Sequence, residues 1–300
     1  MVPTNILITG ASGFIGQRFL TYNVKKYVLR TVSLQAVHPA NIDFSDIYTI
    51  VHFAGIAHQM KRIEDKVYFD INFELTKEFA DAAKRAGVAH FIFISTTKVF
   101  GEHQNQVLSE TSPCNPQNDP YAESKLQAEQ YLQSIEDANF TVSIVRPPLV
   151  YGPGVKGNLI RFLHLADKNW PLPFANIANR RTMVYLDNLV ELINRIVDTR
   201  KSGVFLAGDT HPISTTLLLT EMRLKMSKSP RLFVLPGPMR QMLQKWRPEM
   251  VLRLWGSQEM DTRSTNERLG FTPPYSIQHG IADMVEWYIK ERQTQYRLNK

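Results

Sequence analysis

Tyr121-Ala122-Glu123-Ser124-Lys125 is the stretch of this chain best equipped to move a proton. It follows Asp119-Pro120, a helix start, and on a helix residues four apart share a face. An ammonium beside a phenol favours the tyrosinate and draws its pKa below the usual value of about 10. A tyrosine held that way gives or takes a proton while a carbonyl and an alcohol interconvert. Upstream, the apolar run Phe91-Ile92-Phe93-Ile94 ends in Ser95-Thr96-Thr97. Hydroxyls at the carboxyl end of a strand lie where open α/β sheets bind ligands, so one of these is placed to hydrogen-bond a reacting oxygen. Both readings have plain alternatives: a tyrosine and lysine four apart arise by chance in many helices, and strand-end hydroxyls also cap loops.

What raises their weight is the start of the chain. The run Ile6-Leu7-Ile8 ends in Thr9-Gly10-Ala11-Ser12-Gly13-Phe14-Ile15-Gly16. Glycines between a strand and a helix allow a tight turn, close approach of the backbone to a pyrophosphate, and close helix–strand packing. The helix N-terminus then offers unpaired N–H groups and a favourable dipole to the phosphates. This reads as a dinucleotide site. NAD sites usually carry an acidic residue at the end of the second strand, where it binds the ribose hydroxyls. Tyr27-Val28-Leu29-Arg30-Thr31-Val32-Ser33 has none and offers Arg30, which could pair with a 2′-phosphate. NADP(H) is therefore favoured, with NAD(H) possible; the alternative for Arg30 is a solvated strand-end residue.

The elements that must carry these residues alternate. Tyr27–Val32, Tyr48–Ala54, Ala89–Ile94 and Thr141–Val145 read as further strands. Phe14 to about Tyr22, Lys66–Ala86 and Tyr121–Ile135 read as helices, with Val67, Ile71, Leu75, Phe79 and Ala83 as one face of the second. Gly87 stands at its C-cap. Apolar strands separated by helices predict an α/β fold, a Rossmann-type doubly wound parallel sheet covered on both faces. After Arg146 the prolines and glycines multiply, and Gly203–Leu206 reads as one more strand. The region from His211 to Pro274 reads as short helices and loops, and Ile277–Glu291 as a closing amphipathic helix. We expect a nucleotide-binding core at 1–146, a strand near 203–209 returning to its sheet, and a smaller lobe made mainly from 147–300.

Composition sets outer limits. The 300 residues are 43% hydrophobic and 21% charged, which suits a large folded core and excludes global disorder. A net charge of +7 favours anionic partners without choosing among nucleotide, nucleic acid and acidic membrane. A single cysteine, Cys114, precludes an intramolecular disulfide and suits a reducing cytosol. The first strand begins too early for a cleavable signal peptide, and no apolar run approaches the roughly 18 residues of a membrane span. Histidines such as His58 and His164 lack ligand spacing, so no metal site is expected.

Taken in order, Gly10-Ala-Ser-Gly-Phe-Ile-Gly16, His52-Phe-Ala-Gly55, Asn72, Ser95-Thr-Thr-Lys-Val-Phe-Gly101 and Tyr121-Ala-Glu-Ser-Lys125 resemble the extended short-chain dehydrogenase/reductases, home of sugar-nucleotide 4-epimerases and 4,6-dehydratases. The resemblance implies catalytic roles for Thr96, Tyr121 and Lys125. It implies a cofactor site of Gly10, Ser12, Gly13, Phe14, Ile15, Gly16, Phe53, Ala54, Gly55, Asn72, Lys125 and Pro148, to which the strand reading adds Arg30. Arg146-Pro-Pro-Leu-Val-Tyr-Gly-Pro-Gly154 looks like the segment bordering the nicotinamide, Gly157-Asn158-Leu159 like an asparagine site for a nucleotide diphosphate, and Arg181 like the arginine holding the same diphosphate. The substrate residues so implied are Thr96, Thr97, Tyr121, Asn158 and Arg181. Two departures stand out: the segment between the second strand and His52 is short, which would trim the adenine pocket, and Phe100 stands where tyrosine is commoner.

Within the family the chain most resembles reductases of UDP-4-keto-6-deoxy-N-acetylhexosamines, which serve surface-polysaccharide synthesis. The first expectation is reduction of the C4 ketone of a UDP-sugar of that kind. The second is a UDP-sugar 4-epimerase with tightly bound NAD, and a third is a non-catalytic nucleotide-binding protein, against which the intact Thr96/Tyr121/Lys125 set argues. A cytoplasmic homodimer built on the helices near 66–86 and 121–135 is implied, with no nucleic-acid partner. Arg231 to Trp255 mixes aromatic, aliphatic and basic residues and could touch a membrane. Packing of the lobe is the expected use of that stretch, since Pro236, Pro238 and Pro248 interrupt any long amphipathic helix.

Overall fold

The computed structural model describes residues 4–56, 63–101, 106–116 and 119–298. Its centre is a six-stranded parallel sheet. In chain order the strands are β1 (Asn5–Thr9), β2 (Val28–Val32), β3 (Thr49–His52), β4 (His90–Ile94), the short β5 (Val107–Leu108), β6 (Thr141–Arg146), β7 (Leu149–Tyr151), β8 (Met183–Tyr185), β9 (Gly203–Leu206) and the short β10 (Glu259–Met260). The sheet runs β2-β1-β3-β4-β6-β9, while β7 pairs with β8 and β5 with β10. From β1 the chain steps to β2 on one side and then to β3 on the other, so strand order reverses between β1 and β3. In open α/β sheets the crevice beyond the carboxyl ends at such a point is where ligands bind.

Helices α1 (Phe14–Asn23), α2 (Asp65–Phe69), α3 (Leu75–Arg85), α4 (Pro120–Ser134), α5 (Asn158–Asp167) and α6 (Leu186–Thr199) follow in chain order. On one sheet face α1 and α6 enclose Ile8, Phe19, Val51, Ile92 and Phe205. On the other, α3 and α4 cover Leu7, Ile50, Phe91, Phe93 and Ile144. The doubly wound α/β expectation therefore holds. Helix α6 was not anticipated, although Leu186, Leu189, Val190, Ile193, Ile196 and Val197 mark a buried face at helical spacing. It returns to the sheet from beyond residue 146, as β9 does, so the core draws more from the second half than one strand.

Two expectations need correction here. The long helix is continuous but not uniform: Asp70–Glu74 forms a π-helical turn between α2 and α3. Val67, Ile71 and Leu75 are only half-buried, and Tyr68, Asn72 and Thr76 point inward instead. Four-residue steps drift by about 40° each on a 3.6-residue helix, so a strict stripe of that spacing cannot stay on one face. Secondly, β2 is an edge strand with Val28 and Thr31 exposed, not a run buried throughout. The link to β3 contains only the 3₁₀ turn Pro39–Asn41.

The lobe continues with α7 (Thr215–Lys225), α8 (Gly237–Trp246), α9 (Pro248–Trp255), α10 (Arg263–Leu269) and α11 (Ile277–Leu298). Its core joins Leu159 and Leu163 of α5 to Leu219 and Met222 of α7 and Met284 and Val285 of α11. The 231–255 stretch departs from expectation. Its prolines start helices rather than prevent them: Pro236 is the N-cap residue of α8, and Pro238 and Pro248 lie in first turns. Helix α8 buries no residue. Among the described residues no helix is long and apolar enough to cross a membrane.

This division predicts unequal costs. Ile193→Ala in α6 opens a cavity beneath the sheet and should lower stability by about 2–5 kcal/mol in urea titration. Met242→Ala in α8 should change it by less than about 0.5 kcal/mol.

Candidate active site

The glycine loop is held by the backbones beside it. A Cβ on Gly10, whose φ is +67°, would fall 2.6 Å from the Ala54 nitrogen, and one on Gly16 would fall 2.3 Å from the Gly10 carbonyl oxygen. Both contacts are with backbone that cannot yield. A Cβ on Gly13 meets nothing closer than the Gly10 oxygen at 3.2 Å, and Ser12 and Gly13 are exposed. No side chain caps α1 at Gly13. The loop thus presents bare backbone at a helix N-terminus to the crevice between β1 and β3, a cradle that suits a pyrophosphate. Phe14 and Ile15 turn the other way and pack on the lobe, with the Phe14 ring against Gly154.

Behind the loop, the Thr9 hydroxyl bonds His52 Nδ1 at 2.8 Å and accepts from the Ala54 nitrogen. His52 Nε2 meets Thr76 at 3.1 Å. Burial, with Lys125 nearby, keeps the imidazole well below its ordinary pKa and hence neutral. Phe53, whose ring meets Phe19 at a tilt, and Ala54 thereby lie against Gly10. Asn72 is fully buried in the π-turn. Its Oδ1 accepts from the Ile56 nitrogen at 2.8 Å and its Nδ2 donates to the Ile56 oxygen and to Ser124 Oγ. Assigned by resemblance to cofactor contact, Asn72 instead spends these hydrogen bonds inside the protein, tying the strand-end loop to α4. π-Turns are frequent at functional sites.

Asp119 caps α4 through bonds to the Tyr121 and Ala122 nitrogens, and its other oxygen pairs with Lys98 Nζ at 2.6 Å. This brings the Thr97–Phe100 turn against the first turn of α4. Thr96 heads that turn, accepting from the Lys98 nitrogen at 3.2 Å, and its side chain neighbours the Tyr121 phenol, where it favours the ionised form. Lys125 is buried, donates to the Ile94 carbonyl at 3.0 Å and lies 4.4 Å from the Phe93 ring centre. A Cβ on Gly55 would fall 2.8 Å from Asn72 Oδ1 and 3.1 Å from Lys125 Nζ, so strand end, π-turn and lysine converge. Pro148 is buried in the segment after β6, whose Pro147 oxygen accepts from the Thr97 nitrogen.

The electrostatics correct the sequence reading. Tyr121 is pushed up to about 12, chiefly because protein encloses its phenol end, with the Thr96 side chain opposing. Lys125 does not lower it in this state. Desolvation brings the lysine itself down to about 8, against the pull of Glu129.

Sequence reasoning missed Glu129, one turn beyond Lys125 on the same face. It is buried, pairs with Arg146 at 2.5 Å and accepts from Ser95. An acid four residues after Lys125 was the available signal. Arg30 is not brought to the site. It registers with Leu7, two residues short of the Thr9–Val32 end, and its guanidinium bonds the carbonyl and carboxylate of Asp43. In the lobe Asn158 opens α5, exposed, beside the Gly154 loop. Arg180 is committed to Glu259 at 2.6 Å, whereas Arg181 donates to the carbonyls of Arg253 and Gly256. His164 bonds the Tyr288 hydroxyl, and His58 lies outside the described residues. Among the described residues no group of three His, Cys, Asp or Glu is arranged for a metal.

A glycine loop at the switch point of a doubly wound sheet, with Thr96, Tyr121 and Lys125 beside it, defines a dinucleotide-dependent oxidoreductase class. The chain belongs to the NAD dependent epimerase/dehydratase family, whose model matches residues 6–208. It is 32% identical to a UDP-glucose 4-epimerase of Vibrio cholerae, over 96% of this chain and 97% of that one. It is 26% identical to a UDP-2-acetamido-2,6-beta-L-arabino-hexul-4-ose reductase of Pseudomonas aeruginosa, over 66% of this chain and 50% of that one. The solved structure of MoeE5 in complex with UDP-glucose and NAD superposes with a TM-score of 0.75 at 21% identity, covering 96% of this chain and 99% of that one.

Lys125 gives a pH signature. Its folded pKa of about 8 lies below the ordinary 10.5, so between these values the unfolded chain holds a proton that the folded chain has lost. This group alone should therefore add stability as pH rises through that window, on the order of 3 kcal/mol. The buried tyrosines, held above their ordinary value, subtract from stability near pH 10 in protein and variant alike. In urea titrations at pH 7.5, 9 and 10.5 the stability difference between the ligand-free protein and Lys125→Met should shift in favour of the protein as pH rises. A parallel curve for the variant would contradict the assignment.

Proposed function

We propose that this chain reduces the C4 ketone of a UDP-sugar of the 4-keto-6-deoxy-N-acetylhexosamine class. The observation that carries the reading is that Thr96 neighbours the Tyr121 phenol while buried Lys125 reaches Ile94 and the backbone at Gly55, the residue after Ala54 on which the glycine loop packs. The residues at the crevice suit a nicotinamide dinucleotide, with Gly10, Gly13, Gly16 and the α1 N-terminus for the pyrophosphate and Lys125 toward its nicotinamide end. When bound, it supplies the hydride. Tyr121 delivers the proton to the C4 oxygen, and Thr96 steadies charge developing on that oxygen by hydrogen bonding. A phenol near 12 keeps its proton at neutral pH and so starts as the acid, the state a reductase needs. Asn158 and Arg181 are the lobe residues we assign to the diphosphate, for which a guanidinium fork is well shaped.

Elimination of water from the sugar would need a further acid–base couple. The carboxylates described near Tyr121 are engaged, Asp119 by Lys98 and the α4 N-terminus and Glu129 by Arg146. This supports chemistry at C4 over dehydration. The second reading, a UDP-sugar 4-epimerase retaining NAD, is favoured by the near full-length similarity to the Vibrio cholerae protein.

The deciding experiment incubates purified protein with UDP-4-keto-6-deoxy-HexNAc and NADPH or NADH. Arrival without cofactor and stoichiometric oxidation establish the reductase. Bound NAD, no net oxidation and interconversion of UDP-sugar C4 epimers establish the epimerase. Under either chemistry Tyr121→Phe should cut turnover at least tenfold. Arg30→Asp should leave the NADPH/NADH preference unchanged, because Arg30 sits on Asp43; a switch in preference would restore it to the cofactor site.

A further inference from the structure

Helix α8 is built like a buried amphipathic helix and faces solvent. Met239, Met242, Leu243 and Trp246 recur at the three- and four-residue spacing of one helical face. Met239 is 52%, Met242 66% and Trp246 74% exposed. Phe233 and Val234, in the extended segment leading to the helix, are 45% and 56% exposed and enlarge the apolar surface. The base of this surface is firm. Phe233 exchanges backbone bonds with Leu172 and Ala175. The fully buried Arg223 donates to the carbonyls of Lys168, Trp170 and Pro230, locking the segment beneath it.

Charge decides what this surface meets. Residues 231–255 hold five bases, Arg231, Arg240, Lys245, Arg247 and Arg253, against one acid, Glu249. That is a net +4 of the chain's +7, in 25 residues. Arg231, Arg240, Lys245 and Arg247 are exposed. Arg240 and Lys245 lie on α8 itself, and Arg247 follows it. A tryptophan and methionines flanked by arginine and lysine match the two halves of an anionic bilayer surface, acyl chains beneath and phosphates above. A second copy of the chain would bring the same positive charge against itself.

We infer that the Phe233–Arg247 surface, centred on α8, docks this protein on anionic phospholipid membranes. The inference is independent of which sugar reaction the active site performs. Docking places the α8–α9 side of the lobe toward the bilayer.

The test uses the full chain and two vesicle compositions, phosphatidylcholine alone and phosphatidylcholine with about 30% of the anionic lipid phosphatidylglycerol. We expect co-sedimentation with the anionic vesicles, a blue-shifted tryptophan emission, and at least tenfold weaker binding on neutral vesicles or in high salt. Arg240→Glu with Lys245→Glu, and separately Trp246→Ala with Met242→Ala, should each reduce binding at least tenfold. Far-UV circular dichroism and thermal midpoint should be unchanged, since these side chains are exposed. Absence of vesicle binding by the wild type overturns the inference, as does binding that all four substitutions leave intact. Conversion of a wild-type dimer to monomer by Trp246→Ala and Met242→Ala, without vesicle binding, would assign the surface to a second copy instead.

Discussion

A carboxylate and a guanidinium, Glu129 and Arg146, meet in the interior at 2.5 Å, and the elements carrying the site converge on them. Glu129 belongs to α4, which also bears Tyr121 and Lys125. Arg146 ends β6, and Ser95, which donates to the same carboxylate, follows β4. The pair therefore sets the height of α4 against two neighbouring strand ends, and Thr96 follows Ser95 at one of them. Charges this deep gain little net stability, because desolvation offsets their attraction. What they supply is geometry: losing one partner strands the other, so displaced arrangements of α4 are disfavoured.

The strong sequence signals were those with a local cause. The glycines at 10 and 16 are required by backbone contacts below 3 Å, and β9 lies where an apolar run after Gly203 put it. The Thr96–Tyr121 contact also follows from motif order. The Tyr121 pKa did not, because it depends on enclosure by residues distant in sequence and on where a flexible lysine points. Arg30 shows the same limit. Its type suggested a phosphate partner, but strand register placed it two residues too early and Asp43, thirteen residues on, claimed it. Helix α6 was legible in principle, with a clean apolar face, yet the proline-rich texture around it obscured a return to the sheet.

The lobe rests on the core through specific contacts. Phe14 and Ile15 leave the first turn of the cofactor-loop helix to enter the lobe's cluster. Arg18 holds the start of α6 through Asp187 at 2.6 Å. The helix that follows the glycine loop thus touches the lobe through its first turn and the core helix α6 through its flank.

The π-turn at Asp70–Glu74 has a consequence for how this helix tolerates change in length. Such a turn is one residue wound into an α-helix, and it resets the angular phase of everything beyond it. Here it lets Tyr68 face Tyr121 at a ring separation of 6.2 Å while Phe79 and Ala83 still face the sheet. Excising one residue from 70–74 would regularise the helix and improve its own hydrogen bonding. It would also rotate one end by about 100° relative to the other. The locally more regular chain would then have to give up either its packing on the sheet or its wall of the crevice, so the irregular turn is the arrangement that satisfies both.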